Sequence, residues 1–265
     1  MKIATWNVNS IRSRLNLVTE WLQENPVEVL CLQETKVVDA DFPRSPFKQL
    51  GYHLYISGQK SYNGVAIFSK SPLQDVSTGF SPVLGTPATE FDSQKRVLTG
   101  MWGDICIVNL YVPNGASVGS DKYAYKLDWL AHLRDYLKSL LDKTANICIC
   151  GDFNIALEDK DLHKIPKPKD IMASPAERDA LRQVLELGFA DAFRKFTDAD
   201  GHYSWWDYRA GSFPRNKGWR IDHHYLTPPL YDRAIACTID VAPRKLPKPS
   251  DHTPVILELA NDSVG

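Results

Sequence analysis

Apolar runs rich in Val, Ile, Leu and aromatic residues recur at Lys2–Val8, Val27–Gln33, Gly64–Ser69, Arg96–Trp102, Ile105–Val112, Asn146–Cys150, Arg220–Leu226, Ala236–Val241 and Val255–Leu259. They are bounded by Gly, Pro, Asn or Asp, and that combination predicts strands. The Gly103-Asp104 pair between two of them predicts a hairpin. Helical patterns lie between the strands. Ile11, Leu15, Val18 and Leu22 share one helical face, with Asn9 or Ser10 as N-cap and Pro26 as the stop. Leu130, Leu133, Leu137 and Leu141 mark a second helix. A third opens on a capping box, with Ser174 at the N-cap, Pro175 at N1 and Glu177 at N3, and Gly188 closes it. Strands, hairpins and helices mixed in this way predict sheets covered by helices in one compact domain.

Two charged stretches interrupt the pattern. Asp159–Asp170, DKDLHKIPKPKD, reads as a plain solvated loop. Pro243–Ser250, PRKLPKPS, is a similar basic loop, but it runs straight into Asp251-His252, which places it near a site.

Composition narrows the class. The chain has 265 residues, 43% hydrophobic and 24% charged, which excludes a disordered or collagenous chain and a highly basic DNA-packaging protein. The formal net charge of -1 does not exclude nucleic acid, because a neutral protein can present a basic face. The cysteines are Cys31, Cys106, Cys148, Cys150 and Cys237, an odd number, and four lie in apolar runs. Buried reduced thiols are expected rather than a disulfide framework. Cys148 and Cys150 have no Cys or His partner at zinc spacing, so no structural zinc is expected. No apolar run reaches the roughly 18 residues that span a membrane. The start MKIATWNVNS reads as a strand and not as a leader. A cytoplasmic protein without membrane association is expected.

Four segments place polar residues at the ends of apolar strands: Thr5–Asn9, Leu32–Thr35, Gly151–Asn154 and Ser250–His252. Each alone is an ordinary turn, cap or solvated charge. Together they supply Glu34, Asp152 and Asp251 as carboxylates after separate strands, with Asn7 and Asn154 as amide oxygens. If they converge, these oxygens suit a hard divalent cation, Mg²⁺ or Mn²⁺ before zinc, and their mutual repulsion calls for one.

The segments TWNVNSIR, LQETK, NLYVPNG, GDFN, GWRID and SDHTP follow one another in this order. The chain thereby resembles the exonuclease III family of apurinic/apyrimidinic (AP) endonucleases, within the endonuclease/exonuclease/phosphatase superfamily, from Lys2 to about Leu259. YVPNG, SWWDYR and GWRID are more particular to this DNA-repair branch. Pancreatic-type deoxyribonucleases and inositol polyphosphate phosphatases share the Glu and SDH parts.

The resemblance implies a four-layered α/β sandwich, two packed mixed β-sheets flanked by helices, as a single domain over 1–265. It implies Mg²⁺-dependent hydrolysis of the phosphodiester 5′ to an abasic site, with Mn²⁺ able to substitute. It also implies 3′→5′ exonuclease and 3′-end-trimming activity on duplex DNA, and a monomer. Glu34 would be the principal metal ligand, with Asn7 and Asp251 assisting and Asp152, Asn154 and His252 in the wider ligand set. Asp152 would position or deprotonate the attacking water, and Asn154 would hold that water or the phosphate. His252 would contact a phosphate oxygen, oriented by Asp222. Between the two as general base, Asp152 is favoured, since Asp222 tends to keep His252 charged. Tyr111 would meet the scissile phosphate or the leaving group, and Asn114 would add a phosphate contact. Asn9 stands where animal members carry Asp, which leaves one charge fewer for a second metal. His223 and His224 are given no role.

Ser204–Trp219 interleaves aromatic residues with Arg209, Arg215 and Lys217, and Gly211, Pro214 and Gly218 break any regular element. An exposed loop of this composition suits DNA, with basic groups on phosphates and rings on bases or sugar. The resemblance puts Trp205, Trp219 and Ile221 around a pocket for abasic deoxyribose, with Arg209 on the backbone. The helix Lys122–Leu141 is expected to present Lys122, Tyr123 or Lys126 to DNA. Two alternatives stay open: a metal-dependent phosphodiesterase or phosphatase acting on a small molecule or lipid head group, and a catalytically silent DNA-binding module.

Overall fold

The computed structural model describes residues 1–260, so 261–265, the end of the expected domain, lie outside the described residues. The strands are β1 (Lys2–Asn7), β2 (Val29–Gln33), β3 (His53–Ser57), β4 (Val65–Ser69), β5 (Gln74–Thr78), β6 (Val97–Trp102), β7 (Ile105–Tyr111), β8 (Ile147–Asp152), β9 (Ala190–Asp191), β10 (Asp222–Leu226), β11 (Ala234–Ile239) and β12 (Val255–Leu259). The helices are α1 (Leu15–Glu24), α2 (Arg44–Gln49), α3 (Ser81–Leu84), α4 (Thr89–Asp92), α5 (Asp121–Leu141), α6 (Pro175–Leu185) and α7 (Pro228–Arg233).

Two six-stranded mixed sheets form, in the orders β11-β12-β1-β2-β4-β3 and β5-β6-β7-β8-β10-β9. Each has one parallel pair near its middle, β1 with β2 and β7 with β8. The crossovers of these pairs carry α1 and α5, which is why both helices lie on outer faces. Alternate residues of the central strands face opposite ways. Ile3, Val29, Cys31, Ile107, Cys148 and Cys150 meet between the sheets. Ala4, Trp6, Leu30 and Leu32 pack outward on α1 and α2. Val108, Leu110, Ile147 and Ile149 pack outward on α5 and α6. Both faces of these strands are dry, so their sequences are continuous apolar runs without alternation. The layering is the expected helix–sheet–sheet–helix sandwich.

A buried polar clamp joins the sheets below the site. Gln33 donates to Thr5 Oγ1 at 2.9 Å and across the interface to Asn109 Oδ1 at 2.8 Å. Asn109 donates to the carbonyls of Leu32 and Ala66. Polar bridges of this kind hold two layers in one register, and the remaining Gln33 Oε1 is buried without a hydrogen-bond partner.

Several sequence expectations are corrected. The first helix begins at Leu15, after Arg14, and not at Asn9 or Ser10. Asn9 and Ser10 have φ of 43° and 87°, so they turn the chain instead of starting a helix. The capping box of α6 is present as expected, but the helix ends at Leu185, three residues before Gly188. The loop from Asp159 is not wholly solvated. Asp161 is fully buried and pairs at 2.7 Å with Arg220, which also pairs at 2.7 Å with Asp191. Lys164, Ile165, Lys167 and Lys169 are exposed, as expected of a loop. All five cysteines are free and buried. However, β10 brings His224 beside Cys148, with Nδ1 to Sγ at 3.8 Å and Cys150 close by, a neighbour that chain spacing could not reveal. Among the described residues no helix is long and apolar enough to cross a membrane.

Candidate active site

One edge of the sandwich collects the ends of six elements. The parallel pairs put the C-terminal ends of β1, β2, β7 and β8 there, which delivers Asn7, Glu34, Tyr111 and Asp152. The antiparallel strands β10 and β12 reach the same edge with their N-terminal ends, which delivers Asp222, Asp251 and His252. In register, Asp152 lies between Tyr111 on one side and Asp222 on the other. This close strand packing depends on Gly151, where an added Cβ would meet the Leu110 carbonyl oxygen at 1.9 Å.

Hydrogen bonds join these residues into one network. Asn7 Nδ2 donates to Glu34 Oε1 and to Asp152 Oδ2, each at 2.9 Å. The Tyr111 hydroxyl donates to the same Glu34 oxygen at 2.8 Å. The Asn154 backbone amide donates to Asp152 Oδ1 at 2.8 Å, and its side-chain amide donates to Asp152 Oδ2 at 3.2 Å. Asn114 donates to Asn154 Oδ1 at 3.0 Å. His252 holds Asp222 through Nδ1 at 2.9 Å and turns Nε2 toward Asp152 Oδ2 at 3.8 Å. Ser204 Oγ donates to Asp222 Oδ2 at 2.6 Å. Asp222 is therefore paired with neither Arg220 nor Arg209.

Asp251 stands one layer out. It accepts from Asn9 Nδ2 and from the Trp205 indole, both at 3.0 Å. Lys36 links this layer to the centre, donating to Asn9 Oδ1 at 2.6 Å and lying 2.7 Å from Glu34 Oε2. The basic loop is stitched to the site as its position suggested: Ser250 Oγ donates to the Asn7 carbonyl at 2.7 Å.

The electrostatics follow from burial and charge. Burial pushes the Asp152 carboxyl up to about 7, against the pull of His252. Burial alone would lower the His252 imidazole, but the carboxylates of Asp222 and Asp152 outweigh it and raise the group to about 10. Burial would likewise raise Glu34, yet Lys36 and the Asn7 amide hold it below the usual carboxylate range. Burial, then the Glu34 charge, keeps the Tyr111 phenol protonated far above its ordinary value.

The residues present fit a hard cation. The ligand atoms of Asp152, Asp222 and His252 lie within 4.8 Å of one another, and the Asn7 amide bridges Glu34 and Asp152 where a cation would relieve the same repulsion. Glu34 and Asp152 offer the oxygens that could hold such a cation, while Asn7 faces both with Nδ2 and turns Oδ1 to the Asn9 amide at 3.0 Å. Asn154 and His252 adjoin Asp152, and Asp251 is joined to Glu34 through Asn9 and Lys36.

Beside His252 lies an apolar cluster. Trp205 and Trp219 meet edge-on, with ring centroids 6.0 Å apart, and pack on Ile221, which is buried. Trp205 also bridges to His252. The following loop is exposed at Tyr208–Gly211 and Pro214–Lys217, and the Arg209 side chain is 90% exposed. A cleft of about 730 Å³ opens on the other side, lined by Tyr62, Arg96, Tyr111, Asn114 and Lys122. The expectation for α5 is corrected here. Lys122 is exposed, but Tyr123 turns its hydroxyl to Ser174, and Lys126 is fully buried.

Lys36 and Ser204 were not anticipated, and Lys126 and Glu177, expected as a DNA contact and a helix cap, meet as a buried pair. Lys36 closes the LQETK motif and could have been read from it. Ser204 and Lys126 act through contacts that only the fold creates.

The family described as the endonuclease/exonuclease/phosphatase family matches residues 4–252. An exodeoxyribonuclease of Bacillus subtilis is 35% identical over 97% of this chain and 98% of its own. An AP endonuclease from Archaeoglobus fulgidus superposes with a TM-score of 0.92 at 41% identity, covering 98% of this chain and 99% of that one. A Neisseria 3′ phosphatase, solved with a product DNA hairpin, superposes at 0.93 with 37% identity, covering 98% and 100%. Fold, edge chemistry and full-length similarity together place the chain in the endonuclease/exonuclease/phosphatase family, in its exonuclease III and AP endonuclease branch, as a hydrolytic nuclease.

Proposed function

We propose that the protein is a Mg²⁺-dependent DNA-repair enzyme that hydrolyses the phosphodiester 5′ to an abasic site and also trims 3′ ends of duplex DNA. The observation that carries this reading is the line Asp222–His252–Asp152 set against the apolar Trp205–Trp219–Ile221 cluster. A slot opened against these apolar side chains would admit a sugar without its base, while a normal nucleotide must first be unstacked at a cost of a few kcal/mol.

The reaction follows from the groups at hand. Asp152, poised near neutrality, takes a proton from the attacking water at Oδ2, while the Asn154 amide fixes its other oxygen. The new P–O bond forms as the P–O3′ bond breaks. His252, held protonated by Asp222, donates from Nε2 to a phosphate oxygen and offsets the charge gathered there. Tyr111 keeps its proton and serves as a donor toward the phosphate or the departing 3′ oxygen. Asn114 and Asn154 add contacts to the phosphate and the water. Glu34, Asn7 and Asp152 would hold Mg²⁺ or Mn²⁺, with Asp251 assisting; the cation supplies charge neutralisation beside the scissile phosphate. Arg209 and Lys122 suit contacts to the DNA backbone.

We read the protein as a single-domain monomer of a reducing compartment, the cytoplasm, a reading supported by its five buried free thiols. A duplex carrying one abasic analogue, incubated with and without Mg²⁺ and resolved on a sequencing gel, tests the proposal. The expected product is a nick 5′ to the lesion with a 3′ hydroxyl, reduced by about 10³-fold in Asp152→Asn. A 3′ unsaturated aldehyde, or turnover of small phosphate esters with the duplex left intact, would overturn it.

A further inference from the structure

We propose that the buried ion pair Lys126–Glu177 is the positioning element for the phosphate end of the site, because it fixes the two loops that carry Asn114 and Asn154. The proposal rests on the reading of those asparagines as contacts to the phosphate and the attacking water.

Lys126 sits on α5 and Glu177 on α6, and both are fully buried. An ammonium has three donors. Here all three are used: Nζ donates to Glu177 Oε1 at 2.5 Å, to the Asn154 carbonyl at 2.8 Å and to the Asn114 carbonyl at 3.2 Å. The group has no donor left for water or DNA. Glu177 is equally committed. Its Oε1 also accepts from the Met172 amide, and its Oε2 accepts from Ser174 N and Oγ.

A buried ion pair is a weak source of stability, because desolvation offsets most of the attraction, and two apolar side chains would fill the same space. What this pair adds is direction. The carbonyls it holds belong to residues just beyond β7 and β8, where the sheet no longer pairs them. Their side chains are coupled to one another and to Asp152. Asn154 also has φ of 49°, a left-handed conformation that surrounding bonds must maintain. Gly115 lets the first loop close over the lysine stem, since an added Cβ would stand 3.1 Å from Lys126 Cδ.

The test compares the parent with Lys126→Met/Glu177→Gln, which removes both charges together and strands neither. Melting temperature, duplex affinity without Mg²⁺ and single-turnover cleavage of the abasic duplex with Mg²⁺ are measured well below the melting point. The double variant is expected to bind within about threefold of the parent yet cleave about 10- to 100-fold more slowly, as misplaced groups do. In an Asn114→Ala background the same change should cost at least about threefold less, because the two act through one contact. Lys126→Arg keeps the charge but replaces a point donor with a planar fork, and should slow cleavage by about threefold to tenfold. Should the double variant not fold, Lys126→Arg decides alone. Parental cleavage in either variant, or full additivity with Asn114→Ala, overturns the proposal. Asn154→Ala separates the two levels of the argument. If it cleaves at the parental rate, the reading of the asparagines falls and takes the anchor with it. If it is slow while Lys126→Arg and the double variant are not, the anchor alone falls.

Discussion

Asp222→Asn tests whether His252 works as a fixed cation. Asp222 lies 2.9 Å from His252 Nδ1 and is the first of the carboxylates that lift the imidazole to about 10 against the effect of burial. Asparagine keeps the shape and can still accept from Ser204, but it carries no charge. The imidazole then returns toward its ordinary value of 6.5. At pH 8 a group titrating near 10 is about 99% protonated, and one titrating near 6.5 about 3%. At pH 6 the second figure rises to about 75%. The ratio of variant to parent single-turnover rates should therefore fall about 20-fold between pH 6 and pH 8. Asp152 titrates in the same window and feels both His252 and Asp222, so its own profile is measured in each protein, by the pH dependence in a His252→Asn background, and divided out. Stability moves in the same sense. A group with a raised folded value contributes fully below 6.5, and its contribution is lost as pH rises through about 10. The parent should lose melting temperature over that window, and the variant should lose less. A rate ratio that stays flat from pH 6 to pH 8 would refute the assignment of His252 as a cation held by Asp222.

Two other perturbations address the metal and the lesion. Glu34→Ala removes the acceptor shared by Asn7 and Tyr111, so the Mg²⁺ concentration for half-maximal cleavage should rise about tenfold or more; an unchanged Mg²⁺ titration removes Glu34 from the ligand set. Trp219→Ala opens the wall packed on Trp205 and Ile221, so abasic cleavage should drop about tenfold while discrimination against undamaged duplex shrinks. Paired kinetics on the two duplexes decide, and an equal drop on both would make Trp219 a folding or general binding residue.

The central strands were legible because both of their faces are dry, which leaves a continuous apolar run in the sequence. The strands that escaped notice, β3, β5 and β9, are all at sheet edges. QDVST in β5 is mostly exposed, and β9 is only two residues long, so neither carries a pattern. The site residues were readable as motifs, since most sit at or beside a strand end, but their convergence depends on two parallel crossovers that no local pattern encodes. Lys126 shows the opposite limit. From the sequence it reads as a cation offered to DNA, and only the arrival of Glu177 from a separate helix makes its burial possible. Glu177 itself was read correctly as a cap, and the same carboxylate turns out to serve both tasks.

The five cysteines give the molecule a built-in record of its own opening. All are buried, and burial pushes the Cys106 thiol up to about 12, so in the folded chain that sulfur is both hidden and protonated. A thiol-directed reagent then has access only during excursions that part the layers, and the pace of labelling counts those excursions. Because none of the five belongs to the cleaving edge, the count can be taken while the enzyme is turning over. Duplex DNA that grips the closed form should slow the count by mass action. Oxidative inactivation in storage should accordingly scale with the open population of the sandwich as well as with the oxidant present.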